Sequence, residues 1–176
     1  MQDVLSHMNA VDIAIVAITL LSGALGIYWG VIRQVLSIAG VLTGAVVAGR
    51  YSSLVAEPLM SFVTDAGLAR GLGFALTFLA VSGLASLAAS LLHHYAGLLF
   101  LRRLDHLLGG LLGALQGLLT CTVLMIGAAA FPYAGWSPAL GASRFAPAVA
   151  ALLGALVLRL LPESYHFAAQ TMLGLP

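Results

Sequence analysis

The sequence contains no lysine, a single cysteine and few charged residues of either sign. Seven arginines oppose six acidic residues, so the formal net charge is +1, and charged residues make up 7% of the chain, against about 25% in soluble domains. This balance excludes the strongly basic surface that nucleic-acid binding requires. The lone Cys121 excludes an intrachain disulfide and a zinc site built from several thiolates. So little charge cannot cover the surface of a soluble protein of this size.

Apolar residues, in contrast, make up 61% of the chain and occur in long runs that contain no Asp, Glu or Arg. A run of about 20 apolar residues is long enough to cross a bilayer as a helix. Such runs predict spans over residues 10–28, 31–49, 71–92 and 107–130, with Asp12 and Arg33 close to the starts of the first two. Asn9 and Asp12 predict a capping box at the start of the first span, and the polar loop 50–70 contains a possible short surface helix at 54–63. We therefore predict an all-α, multi-pass transmembrane helix bundle of about four spans, surrounded by the lipid bilayer.

The C-terminal part of the chain contains one more apolar run, at residues 148–161, between Pro147 and Pro162. This run is too short to cross the hydrocarbon core easily. We predict an interfacial or re-entrant helix here, with a fifth short span as the alternative. The predicted organisation is a membrane domain over residues 1–147, followed by the interfacial helix and tail over 148–176.

Small residues recur at every fourth position within the predicted spans, and such rows let helix backbones approach closely. Serines do so at Ser82, Ser86 and Ser90. The glycines that we expect to line helix contacts are Gly26, Gly30, Gly40, Gly44, Gly109, Gly113 and Gly117. Packing within the bundle is the favoured interpretation, and self-association of two copies is the alternative.

Four charged residues lie at the ends of the predicted spans. The antiparallel order of the spans brings Asp12 and Arg50 to one membrane face, and Arg33 and Asp105 to the other. Because charges near a bilayer usually find partners, we predict an ion pair at each face. The alternative is that both aspartates only cap helix N-termini, where the helix dipole favours a carboxylate.

Gln116 is a strongly polar side chain well inside the fourth predicted span. A buried amide in a bilayer has to hydrogen-bond to another helix or to water in a cavity. We expect a bond between helices, and a polar pathway lined by Gln116 is the alternative.

Catalytic motifs are not recognisable in this sequence, which has no G-x-S-x-G, no H-E-x-x-H and no P-loop. His93 and His94 are adjacent, so on a helix they point in different directions and do not converge on a metal ion. We therefore predict a protein that is not an enzyme and that needs neither a metal ion nor another cofactor.

An ordered set of short motifs runs through most of the chain. Asn9 and Asp12 open it, and then follow Gly26, the segment 30–33, Leu36, Gly40, the segment 104–109, Gly113, Gly117, Ser143 and Pro147. This set resembles the colicin V production protein (CvpA) family of small bacterial inner-membrane proteins. The chain departs from the family pattern where Trp29, His106 and Gln116 replace frequent arginines and where Gln34 replaces a glutamate.

The resemblance implies a multi-pass protein of the bacterial inner membrane that is associated with production or export of the bacteriocin colicin V and with envelope robustness. A non-enzymatic accessory role is therefore the leading hypothesis. The alternatives are a small transporter or channel, and a membrane anchor or scaffold. A second copy of the chain or another membrane protein is the expected kind of partner.

Overall fold

The structure, a computed structural model, describes residues 8–96 and 102–173. Within these ranges the chain forms only helices and loops, which confirms the all-α prediction. The helices in chain order are α1 (Ala10–Trp29), α2 (Val31–Tyr51), α3 (Ser53–Leu59), α4 (Ala66–Ala96), α5 (Arg102–Ala130), α6 (Ser137–Gly141), α7 (Phe145–Leu158), a 3-10 turn (Glu163–Tyr165) and α8 (His166–Leu173).

Four of these helices, α1, α2, α4 and α5, are long and apolar enough to cross a bilayer. They match the four predicted spans, and the chain is a multi-pass membrane protein. The described helix α4 starts five residues before the predicted span because Asp65 caps it: the Asp65 carboxylate accepts the amide of Leu68 at 2.7 Å. A short helix, α3, is also present where one was predicted over 54–63, but it ends earlier, at Leu59.

A single residue, Gly30, joins α1 to α2. Its φ of 80° and ψ of 176° define a backbone conformation that is essentially restricted to glycine. The turn makes α1 and α2 an antiparallel hairpin. The start of α1, the ends of α2 and α5 and the start of α4 therefore share one membrane face, which we call the N-terminal face. The Gly30 turn, the end of α4 and the start of α5 share the opposite face, which we call the Gly30 face.

Two helix contacts organise the bundle: α1 packs along α5, and α2 packs along α4 and also touches α5. The largest fully buried apolar side chains are Phe74 and Phe78 of α4 with Val123 and Ile126 of α5. These residues lie in the halves of α4 and α5 that are nearer to the N-terminal face. The core is therefore thickest there, where α7 and Tyr165 also pack.

The apolar helix α7 returns to the face from which it starts. Its first amide, that of Phe145, contacts Asp12 near the start of α1, whereas Leu161 and Pro162, just beyond its end, pack on Gly49 near the end of α2. Fourteen residues extend about 21 Å, less than the roughly 30 Å of the hydrocarbon core. The helix therefore lies against the bundle at the N-terminal face, in agreement with the predicted interfacial or re-entrant helix.

The bounds of α7 differ from the prediction. The helix begins at Phe145 rather than at 148, with Pro147 inside its first turn. Proline is tolerated there because the first-turn amides have no partner within the helix. The predicted domain boundary after residue 147 falls inside this turn, and the division into a membrane domain and a tail stays a prediction.

Candidate functional site

A row of polar side chains lies between the spans on one side of α2. Arg33, Gln34 and Ser37 are 6%, 3% and 2% exposed. Spacings of three and four residues place positions 33, 34 and 37 on one face of a helix. We call these three residues, with their partners Ser86 and Ser90 of α4 and Gln116 of α5, the polar row.

The contact between α2 and α4 uses serine hydroxyls. The Nε of Arg33 donates to the hydroxyl of Ser90 at 2.7 Å, and that hydroxyl donates to the carbonyl of Ser86 at 2.9 Å. One turn further along α2, the hydroxyls of Ser37 and Ser86 lie 3.3 Å apart. A chain of hydrogen bonds, and not an ion pair, therefore links α2 to α4 at these residues.

The contact between α2 and α5 uses two amides. The Nε2 of Gln34 donates to the Oε1 of Gln116 at 2.6 Å. This bond confirms the expectation that Gln116 hydrogen-bonds to another helix. Gln34 as its partner was missed in the sequence, although an amide directly after the arginine of a span is itself a signal of a polar contact.

Arg33 is the most unusual member of the polar row. Its guanidinium carbon lies 3.0 Å from the centroid of the Trp29 ring, in a cation–π contact. Its Nη1 is buried and has no hydrogen-bond partner among the residues that the structure describes. The predicted ion pair with Asp105 does not form, because Arg33 is directed to α4 and Trp29.

Asp105 contacts the Gly30 turn instead of Arg33. Its Oδ1 accepts the amide of Val31, the first residue of α2, at 3.0 Å. A Cβ on Gly30 would overlap the same carboxylate. The next residue, His106, donates through Nδ1 to the carbonyl of Ile27 at 2.6 Å. Asp105 therefore caps a helix, as the alternative interpretation proposed, but the helix is the neighbouring α2.

Asp12 is the most completely buried charged residue in the described ranges, with 0% exposure. Its side chain forms the predicted capping box with Asn9. Its Oδ1 also accepts the hydroxyl of Ser143 at 2.6 Å and the amides of Arg144 and Phe145, each at 3.0 Å. Asp12 thus fastens the start of α1 to the N-terminus of α7.

The predicted ion pair of Asp12 with Arg50 is therefore wrong. The Asp12 carboxylate is enclosed by backbone and hydroxyl donors, whereas Arg50 is exposed at the end of α2. The contact of Ser143 with Asp12 could not be predicted from spacing or residue type, because the two residues are far apart in the chain. The sequence pointed to Ser143 only as one of the family motifs.

The predicted packing glycines lie at helix contacts. Ser22 and Gly26 of α1, with Gly30 of the turn, meet Gly113 and Gly109 of α5 so closely that a Cβ on Gly26 would overlap the Gly109 carbonyl. Gly117 packs against the α1 backbone at Thr19. Gly40 and Gly44 of α2 face Ala85, Ser82 and Phe78 of α4. These contacts confirm packing within the chain, and self-association stays untested.

The structure brings together no metal-binding group of three or more His, Cys, Asp or Glu side chains among the residues that it describes. The side chains of His93 and His94 lie outside that part of the chain. The predictions that the protein uses no metal ion and no cofactor therefore stay predictions.

Comparison with known proteins gives one match. The family model described as "Colicin V production protein" matches residues 11–154, well over half of the chain. No curated protein and no solved structure matches the chain. The matched segment contains all four spans except Ala10, the first residue of α1, together with the polar row, Asp12, Ser143 and the first ten residues of α7. The chain therefore belongs to the colicin V production protein family.

Proposed function

We propose that this protein acts in the bacterial inner membrane as a non-enzymatic accessory to bacteriocin production or export, or to envelope maintenance. The observation that carries the proposal is the extent of the family match, which includes the complete bundle and the docked start of α7. The family match thus covers the four packed spans and not only a short motif.

The hydrogen bonds of the spans support a non-enzymatic role. The carboxylates of Asp12 and Asp105 accept hydrogen bonds from backbone amides. The side-chain oxygen of Gln116 accepts one from the Nε2 of Gln34, and the Nε of Arg33 donates one to the Ser90 hydroxyl. A general acid, base or nucleophile has to reach a substrate. The strongest polar groups of these spans instead hold one helix to another.

A complementation experiment tests the accessory role. The host carries the colicin V determinants and lacks its own family member, and it expresses this chain, a Gly26→Leu variant or a Gly83→Leu variant. Secreted toxin is measured by growth inhibition of a sensitive strain, cell-associated toxin by immunoblotting, and envelope strength by survival in an anionic detergent.

The expected result is that the wild-type chain and the Gly83→Leu variant restore toxin secretion or detergent survival, whereas Gly26→Leu does not. A Cβ at Gly26 meets backbone, but one at Gly83 meets open space. Failure of the wild-type chain to restore either property, at a normal amount in the membrane, would reject the accessory role.

A second candidate function is a small transporter or channel. It is favoured by the Nη1 of Arg33, which is buried and finds no hydrogen-bond partner within residues 8–96 and 102–173. An unpaired cation within a span is costly and is often part of an ion or substrate pathway. The test is a Gln116→Cys variant in a Cys121→Ala background, treated with a membrane-impermeant thiol reagent on intact cells and on inverted vesicles. A Thr64→Cys variant, in the exposed loop before α4, is the control that must react.

Labelling at position 116 from either side requires a water path into the bundle and supports the transporter. No labelling, with the control reacting, supports a packed interior. In that case we propose that the protein works through a membrane-protein partner or a second copy, as an anchor or scaffold, and crosslinking in intact membranes is the experiment that recovers this partner.

A further inference from the structure

A pocket of about 440 Å³ opens at the N-terminal face, between α3, the start of α4 and the end of α5. Its walls combine hydroxyl, charged and apolar side chains. They include Ser52, Ser53, Glu57, Met60, Arg70 and Phe131. The pocket lies outside the polar row and outside the contacts of Asp12, so that neither of the functions proposed above uses it.

Two opposite charges line this pocket without neutralising each other. Glu57 is on α3 and Arg70 is on α4, and both are exposed. Within the part of the chain that the structure describes, neither side chain forms a hydrogen bond or an ion pair. The pocket therefore offers one free carboxylate and one free guanidinium to the same ligand.

The pocket lies beside the ends of two spans, from which we infer that it is at the level of the lipid headgroups. Ser52 directly follows the end of α2, and Phe131 directly follows the end of α5. The neighbouring surface is apolar: Tyr51, Leu54 and Phe62 are 55%, 67% and 87% exposed. Large exposed apolar and aromatic side chains beside the end of a span belong to a segment that lies in the membrane interface.

We propose that this pocket binds the headgroup of a phospholipid that carries a primary amine, of the phosphatidylethanolamine type. The Arg70 guanidinium is a fork that suits two phosphate oxygens. The Glu57 carboxylate accepts the N–H groups of the ammonium, and the Ser53 hydroxyl is a further donor for the phosphate. Met60 and Phe131 supply apolar surface for the glycerol and the first acyl carbons.

The same chemistry predicts which headgroups bind less well. A choline headgroup is methylated and has no N–H to donate to Glu57. A glycerol headgroup has the phosphate but no ammonium, and leaves the Glu57 carboxylate facing an anion. A soluble zwitterion with phosphate and ammonium shares the charges but cannot use the apolar surface around Tyr51, Leu54 and Phe62.

The experiment is a lipid titration of the purified full chain in detergent, followed by native mass spectrometry. Ethanolamine, choline and glycerol phospholipids with identical acyl chains are compared on the wild type, Arg70→Gln and Glu57→Gln. Arg159→Gln and Glu163→Gln are the matched controls, because both are exposed charges near the same face but outside the pocket.

We expect the ethanolamine lipid to bind the wild type most tightly, and each pocket variant to weaken this binding about tenfold, the size of one charged hydrogen bond. Glu57→Gln should also remove the preference over the choline lipid, while the two controls leave both properties unchanged. Equal binding of the three headgroups, or an equal loss in the controls, would overturn the proposal.

A competition with soluble glycerophosphoethanolamine separates the two possible sources of the headgroup. If it displaces the ethanolamine lipid only at a large excess, the pocket is a lipid site, as proposed. If it binds as tightly as the lipid itself, the pocket serves a soluble zwitterion and the lipid proposal is wrong.

Discussion

The two main helix contacts of the bundle use similar residue spacing and opposite chemistry. Between α1 and α5, glycines at every fourth position bring the backbones together. The Ser22 carbonyl occupies the space that a Cβ on Gly113 would need. Between α2 and α4, Gly40 and Gly44 of α2 face a helix whose serines keep their side chains, and the Ser90 hydroxyl accepts a hydrogen bond from Arg33. In the α1–α5 contact, the closest positions on both helices are glycines. In the α2–α4 contact, only α2 contributes glycines, and α4 contributes serine side chains that form hydrogen bonds.

The difference teaches that a small-residue row has two meanings in a membrane helix. Glycine exposes a carbonyl and a Cα, which dispersion and weak hydrogen bonds hold against the facing helix. Serine satisfies its hydroxyl on its own helix, as Ser82 does on the carbonyl of Phe78 at 2.7 Å, and can still accept a donor from the neighbouring helix. Only the second arrangement accommodates an arginine within a span.

The largest effect is expected from filling the glycine contact. Gly26→Ala places a Cβ against the Gly109 carbonyl, which cannot move aside as a side chain would, and should lower the free energy of unfolding by about 3 kcal/mol. Thermal unfolding in detergent measures the loss. Gly83→Ala is the matched control, because its Cβ meets nothing within 4 Å and its gain in helix propensity is the same. Equal stability of the two variants would contradict backbone contact between α1 and α5.

The next effect tests a contact that depends on one polar side chain, at the start of α1. Asp12→Ala removes the acceptor of the Ser143 hydroxyl and of two α7 amides. We expect a loss of about 2–3 kcal/mol in unfolding free energy and faster proteolysis after residue 143. Asp65→Ala, an exposed cap of α4, should cost about 1 kcal/mol. Unchanged proteolysis in Asp12→Ala would show that α7 docks without the carboxylate.

A smaller effect measures the polar contact of α2 with α5. Gln34→Leu and Gln116→Leu, alone and combined, form a double-mutant cycle for their 2.6 Å hydrogen bond. Hydrogen bonds between membrane helices contribute about 0.6–1.7 kcal/mol in such cycles, and we expect a coupling energy in this range from unfolding in detergent. Additive single effects would mean that the two amides are held apart in the membrane.

The smallest effect is a pH dependence outside the spans. Burial raises the pKa of Tyr165 above its ordinary value of 10.0, while a hydrogen bond with Ser52 opposes the shift. Because the folded pKa is raised, the stabilisation is complete below pH 10 and is lost as the pH rises through the folded value. Tyr165→Phe should therefore unfold with a weaker dependence on pH above 10 than the wild type. An identical alkaline profile would show that Tyr165 ionises freely.

Much of the fold could be predicted because it depends on local patterns. Uncharged runs predicted the four spans, and Asn9 with Asp12 predicted the capping box that the structure forms. The partners of the charged residues could not be predicted in the same way. Complementary charge at one membrane face says nothing about side-chain direction, and it ignores backbone amides, which are the donors that Asp12 and Asp105 use.

The sequence by itself therefore determined the number of spans, their antiparallel order and the small residues that allow close packing, because hydrophobicity and glycine spacing act within one helix. Only the tertiary structure decided that Asp12 holds α7, that Asp105 caps α2, that Arg33 lies against Trp29 and Ser90, and that Glu57 and Arg70 share a pocket. Each of these brings together residues of different helices, and the crossing of helices, which no local pattern encodes, sets which side chains meet.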